Sequence, residues 1–229
     1  MEWGEFIAAL VAFFVAHAVP SWPGLRRALV GLLSERGYLI GYSIVSIVLL
    51  GWVVVASGRA PFVELWAFEP WQMHVPATVM PVVCVLLVYG LSSANPLSLG
   101  RKGSAFDPDR PGIVGIVRHP VLWGALLWAL AHLVPNGDLA HVVVFGLFAA
   151  LAVLGMVMLD RRARRRLGAA EWQRLAGATS NVPFVGLGRR TTAPRPGMGD
   201  LVRIGVAVVV FALLVLAHPY VIGVSALPG

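Results

Sequence analysis

Six apolar blocks, near residues 4–22, 37–57, 73–93, 119–135, 139–159 and 202–222, dominate this 229-residue chain. Most approach the ~20 residues that a helix needs to cross a bilayer. Backbone immersed in hydrocarbon must satisfy its own hydrogen bonds, and a continuous helix does so. The expected fold is therefore all-α, a polytopic membrane helix bundle of about six spans, forming a single integral domain over 1–229. Composition agrees: 13% of residues are charged, against about a quarter in soluble domains. The fourth block is short. Either IVGIV at 113–117 extends it, or the bilayer thins around it.

The basic residues segregate. The first, third and fifth connections hold three, four and ten of the 18 Lys and Arg, while the second and fourth hold one and none. The positive-inside rule then places those three basic connections in the cytoplasm and both termini outside it. Residues 24–36 (GLRRALVGLLSER) are amphipathic and predict an interfacial helix on the cytoplasmic side. Residues 160–178 (DRRARRRLGAAEWQRLAGA) predict a basic helix that anchors a stop-transfer segment on acidic headgroups. Residues 95–112 read as a loop and 181–200 as a linker. The net charge of +7 bears on orientation and anionic lipid. The lipid bilayer is the first expected partner, and no nucleic acid is expected. A single cysteine, Cys84, excludes an internal disulfide and a cysteine-based metal cluster. Ala16-His17-Ala18 resembles a signal-peptidase site, but Glu2 and Glu5 precede it with no basic residue, so an uncleaved first helix is expected.

Candidate chemistry gathers on RHPVLWGALLWALAHLVPNGD at 118–138. Pro120 suits a first helical position. Polar side chains near membrane depth are costly and usually face a cavity, a cofactor or another helix. His17 and His132 lie inside spans, and neutral imidazole is a common ligand of iron. Ala125, Trp128 and Ala129 share the face of His132, and Leu10, Phe13 and Phe14 share that of His17. Such walls suit a porphyrin with axial histidines. The plain alternative is that each ring bonds a neighbouring carbonyl, and for the pair the two readings stand level. Tyr38, Tyr42 and Ser46 form a polar stripe of the kind that holds helices together. Trp3, Trp22, Trp66 and Trp71 fit an interfacial belt. Asp138 reads as an N-cap, and Asp160 as a partner for the arginines beside it. No phosphate-binding Gly loop, HExxH, CxxC or serine triad is apparent.

Several segments together resemble one known family. HAVPSWPGLRRAL at 17–29, YSIVSIVLLGWVVVASGRAP at 42–61 and the 118–138 stretch are similar to the NnrU family of bacterial inner-membrane proteins. So are FGLFAALAVLGMVMLDRR at 145–162, TSNVPF at 179–184 and HPYVIG at 218–223. The resemblance implies a link to denitrification and nitric oxide metabolism. It also implies kinship with plant 15-cis-zeta-carotene isomerase, which uses haem b to turn a cis double bond trans. Its histidine ligands match His17 and His132 here, while a cysteine discussed there falls at Ala129. The implied cofactor is haem b, with His17 and His132 as metal ligands and a small apolar substrate as a candidate partner. By depth alone, His132 pairs better with His74 or His218, and His17 with His119, so His119 joins the cofactor-binding candidates.

Two other functions compete. Arg118-His119-Pro120, followed by Asp160-Arg161-Arg162 and then Glu171-Trp172, resembles isoprenylcysteine-type membrane methyltransferases, which use S-adenosylmethionine. In those enzymes a later acidic pair completes the site, and here Arg161 follows Asp160. The third reading is non-enzymatic: a small subunit that assists assembly of respiratory reductases.

Overall fold

The computed structural model describes residues 3–19, 22–99, 106–189 and 197–228. Parts of the expected loop and linker, residues 100–105 and 190–196, lie outside the described residues, and with them Arg101, Lys102, Arg190 and Arg195. Among the described residues the fold is all-helical. Its α-helices are α1 (Trp3–Ala18), α2 (Pro23–Arg59), α3 (His74–Ser92), α4 (Pro120–Leu133), α5 (Leu139–Ala176) and α6 (Met198–Val221). Among the described residues four stretches are long and apolar enough to cross a membrane: α2, α5, α6, and Pro70–Ser92, which comprises α3 and the 3-10 turn before it. The other two, α1 and α4, are apolar but shorter, at 16 and 14 residues. At 1.5 Å per residue α4 is roughly 21 Å long. The segment 113–117 does not lengthen it, because Gly112–Gly115 forms a separate 3-10 turn. His119 then leaves helical geometry at φ −119°, ψ 67°, as the residue before a proline tends to do.

The described residues divide into two compact units. The first holds residues 1–67 and 137–144. Here α1 turns Phe6, Ala9 and Phe13 inward, a spacing that puts them on one face. The amphipathic segment expected at 24–36 is present as the first part of α2. The helix bends at Ser34, whose φ of 63° and ψ of 167° are not helical. The Ser34 hydroxyl accepts from the Gly37 amide at 3.3 Å, so it caps the membrane-crossing part of α2.

A β-carbon in that backbone region costs about 1–3 kcal/mol, while a Ser-to-Gly change at an N-cap costs only a few tenths. Ser34→Gly is therefore expected to stabilise the protein by roughly 0.5–1 kcal/mol, read as a rise of about 1–4 °C in apparent Tm. A fall in Tm would show that the cap outweighs the strain.

The second unit holds residues 68–136 and 145–229. Its centre is the contact of α3 with α4. A β-carbon on Gly90 would meet Val121 Cγ2 at 2.7 Å, and one on Gly124 would meet Leu87 Cδ2 at 3.2 Å. Small residues thus let the two backbones close up, the usual device where lipid offers no hydrophobic drive. The basic helix expected at 160–178 is not a separate element. It continues α5 to Ala176 across a bend at Gly168, φ 78°. Past the bend, Leu175 and Ala176 pack on Ala163 and Leu97, with Phe106, Leu167 and Trp172 around them.

Candidate functional site

The most heavily buried polar residues of the second unit gather where α4 begins. His119 is 0% exposed, and the Arg118 and Asp160 side chains are 12% and 19% exposed. Asp160 lies within α5, at the end of its apolar stretch. Its Oδ1 receives His119 Nε2 at 2.9 Å, and its Oδ2 receives Arg118 Nη1 at 2.6 Å and Asn181 Nδ2 at 2.7 Å. The other ring nitrogen of His119 sits 2.6 Å from the Ser98 hydroxyl. One proton assignment satisfies both contacts with a neutral ring: Nε2–H donates to Asp160 and the Ser98 hydroxyl donates to Nδ1. Arg118 also donates from Nε to Thr179 Oγ1 at 2.8 Å and from Nη2 to the Thr179 carbonyl at 3.2 Å. Its guanidinium lies over the Trp172 ring, 5.1 Å from the centroid.

The backbone around the cluster is tied in the same way. The Arg118 carbonyl accepts from Asn95 Nδ2 at 2.9 Å, and its amide donates to the Ser180 carbonyl at 2.8 Å. Trp123 Nε1 donates to the Asn181 carbonyl at 2.9 Å. Four stretches meet here: 95–98, 118–123, Asp160 and 179–181. Only Asn181 Oδ1 is buried with no partner among the described residues of this cluster. As arranged, the cluster is a clasp, because nearly all its donors and acceptors already serve one another. Neither nitrogen of His119 is free for a metal. Asp160 meets Arg118 and His119, not the adjacent arginines expected from sequence.

His132 lies in the same unit, at the far end of α4. Its Nδ1 is 2.9 Å from the Trp128 carbonyl. Its ring sits among Trp128, 5.5 Å between centroids, and Phe145, 5.7 Å. Phe148 stands 5.7 Å from Trp128 and extends the wall. His218 is near enough to act electrostatically on His132, and its own Nδ1 meets the Val224 carbonyl at 2.8 Å. His74 Nδ1 lies 3.3 Å from the Trp71 carbonyl.

In the first unit, His17 repeats the arrangement of His132. Its Nδ1 is 2.9 Å from the Phe13 carbonyl. Its ring stacks on Phe13 at 4.0 Å and meets the edge of Tyr42 at 6.0 Å. Tyr38 stacks on Tyr42 at 6.1 Å. Among the described residues the buried Tyr38 hydroxyl has no hydrogen-bond partner. Asp138 caps α5 as expected: its Oδ1 accepts from the His141 amide at 3.2 Å and its Oδ2 meets His141 Nδ1 at 2.7 Å.

The methyltransferase resemblance placed Arg118, His119 and Asp160 in one candidate site, but sequence reasoning missed that they bond directly, and it did not name Ser98, Thr179 or Asn181 as site residues. A signal was present. Three of the family-like segments, 118–138, 145–162 and 179–184, each carry polar residues of this cluster. Among the described residues no group of three or more His, Cys, Asp or Glu is placed to hold a metal ion. The family model described as NnrU protein matches residues 5–226. No curated protein matches the chain, and no solved structure does.

Proposed function

The chain belongs to the NnrU family, and on that footing we propose that it is a haem-b membrane protein in which the His132 imidazole would hold the iron. The His17 and His132 rings both bond a carbonyl of their own helix, as the plain alternative expects, and what supports the haem reading is the tautomer that this bond leaves. With Nδ1 donating to the Trp128 carbonyl 2.9 Å away, the ring presents a bare lone pair on Nε2. A backbone carbonyl on the second nitrogen is the usual orienting contact of a ligating histidine. The aromatic wall of Trp128, Phe145 and Phe148 gives a flat apolar group surfaces to lie against.

Within the second unit His218 and His74 are the candidates for a second ligand; the resemblance implies His17, whose ring in the first unit has the same Nδ1-to-carbonyl contact. Haem b, when bound, supplies a one-electron redox centre. The protein's part is to hold the imidazole with its lone pair outward and to keep water away from it.

The activity follows the family: nitric oxide or denitrification metabolism, or cis–trans isomerisation of a polyene, with a small apolar substrate. The location is a bacterial inner membrane, with both termini outside the cytoplasm. The methyltransferase reading draws on Arg118, His119 and Asp160, whose hydrogen bonds to one another support a clasp instead. Assistance to respiratory reductases is the non-enzymatic alternative, and co-purification with a reductase would favour it.

Full-length protein from haem-replete cells is expected to show a Soret band that shifts on reduction. His132→Ala is expected to abolish or shift that band, and His17→Ala, His218→Ala and His74→Ala would identify the second ligand. A colourless preparation, or a spectrum unchanged in both His132→Ala and His17→Ala, would overturn the reading.

A further inference from the structure

We propose that the stretch of α5 just beyond its apolar part is a binding site for anionic phospholipid headgroups, and that it favours a headgroup carrying two phosphates. At about 100° per residue, Arg164, Arg161, Arg165 and Arg162 fall in that order within an arc of roughly 160°. All four are exposed. The opposite side of the same turns carries buried Ala163 and the inward-facing Asp160 and Leu167. The helix is thus basic on one half and packed on the other.

Neutralisation separates these arginines from most of the rest; Arg27, Arg36 and Arg110 also lack a carboxylate partner among the described residues but lie elsewhere in the chain. Arg118 pairs with Asp160, Arg174 with Glu171, Arg203 with Asp200, Arg26 with Glu35 and Arg59 with Glu5. Arg166 donates to the Pro96 carbonyl. Arg161, Arg162, Arg164 and Arg165 have no acidic side chain within ion-pair reach among the described residues. The one carboxylate beside them, Asp160, is taken by Arg118, His119 and Asn181.

Position then chooses the ligand. The arginines follow directly on the apolar stretch 139–159. The rise from Arg161 to Arg165 is roughly 6 Å, which keeps all four within a headgroup layer. Guanidinium forks bind phosphate oxygens in pairs. Four unpaired guanidiniums spread over nearly half the helix exceed what a single phosphate can engage. A diphosphatidyl lipid brings two phosphates on one molecule, so the second contact forms at high effective concentration. The bend at Gly168 ends the basic run and turns residues 169–176 back onto Ala163 and Leu97, so the arc faces outward.

The test is native mass spectrometry on full-length protein in neutral detergent. The probes are cardiolipin, phosphatidylglycerol, phosphatidylcholine and inorganic phosphate. Cardiolipin is expected to bind most tightly, then phosphatidylglycerol, with phosphatidylcholine weakest. The variant R161Q/R162Q/R164Q/R165Q is expected to lose at least tenfold in cardiolipin affinity, and roughly a hundredfold at low salt. Arg110→Gln, exposed elsewhere, is expected to leave binding unchanged. Should the fourfold variant misfold, R161Q/R165Q serves, with an expected loss of about fivefold to tenfold. Equal cardiolipin binding by variant and wild type, or competition by inorganic phosphate as strong as that by lipid, overturns the proposal.

Discussion

Asp160→Ala is expected to destabilise the protein by about 3 kcal/mol, the lower end for breaking a buried ion pair. The lower end applies because the Asp160 side chain retains 19% exposure. The cost comes mainly from what stays behind. Arg118 would be left charged and 12% exposed, while Asn181 Nδ2 and His119 Nε2 would lose their acceptor. In a chain of this size the change corresponds to a fall of roughly 6–12 °C in apparent Tm, measured at one fixed scan rate in detergent. Asp160→Asn keeps one acceptor oxygen and should cost less. Arg118→Ala should cost a similar amount, and the double variant much less than the sum, since the two residues act as one unit. Strict additivity, or a loss below about 0.5 kcal/mol in Asp160→Ala, would show that the clasp does not hold α4 in place.

Gly137→Ala should be more damaging still, and damaging to the first unit. A β-carbon there would run into the Trp66 carbonyl oxygen, and it would also meet Trp66 Cδ1 at 2.6 Å and Nε1 at 2.8 Å. The carbonyl belongs to backbone that is fixed on both sides. The Gly137 carbonyl accepts from the Leu65 and Trp66 amides at 2.8 and 3.2 Å, and the Leu139 amide donates to the Val63 carbonyl at 2.9 Å. No rotamer relieves a clash with backbone, so the 63–66 strip must separate from 137–139. A loss of about 3 kcal/mol or more is expected. Its readouts are poor accumulation in the membrane and faster proteolysis within 61–67. Gly146→Ala is the control. No atom lies within 4 Å of its added β-carbon, and a helical Gly-to-Ala change should gain up to about 1 kcal/mol. Similar behaviour in the two variants would disprove the account.

Two of the three expected site histidines, His17 and His132, were readable from the chain because an imidazole inside an apolar run is conspicuous. The orientation of their rings was not. It depends on carbonyls one turn back, at Phe13 and Trp128, whose availability follows only from the helix being formed. His119, at the start of the fourth apolar block, became a candidate through its depth beside His17, and it has a different role. Its neighbours Ser98 and Asp160 come from 21 and 41 residues away. Thr179 and Asn181 were invisible as site residues, since a threonine and an asparagine in a Gly- and Pro-rich stretch look like any loop.

What the chain determined by itself is its helices. Their apolar character and most of their boundaries follow from local facts: block length, Pro120 at a helix start, Asp138 as a cap, and a backbone that must bond to itself where water is absent. Bends at Ser34 and Gly168 joined segments that looked separate, because one residue in non-helical geometry lets one helix stop and the next start at once. Tertiary structure alone decided which carboxylate meets which arginine, why residue 137 must lack a side chain, and which arginines are left without partners. Those outcomes depend on atoms far apart in sequence being brought within a few ångströms. No spacing rule along one helix encodes that distance.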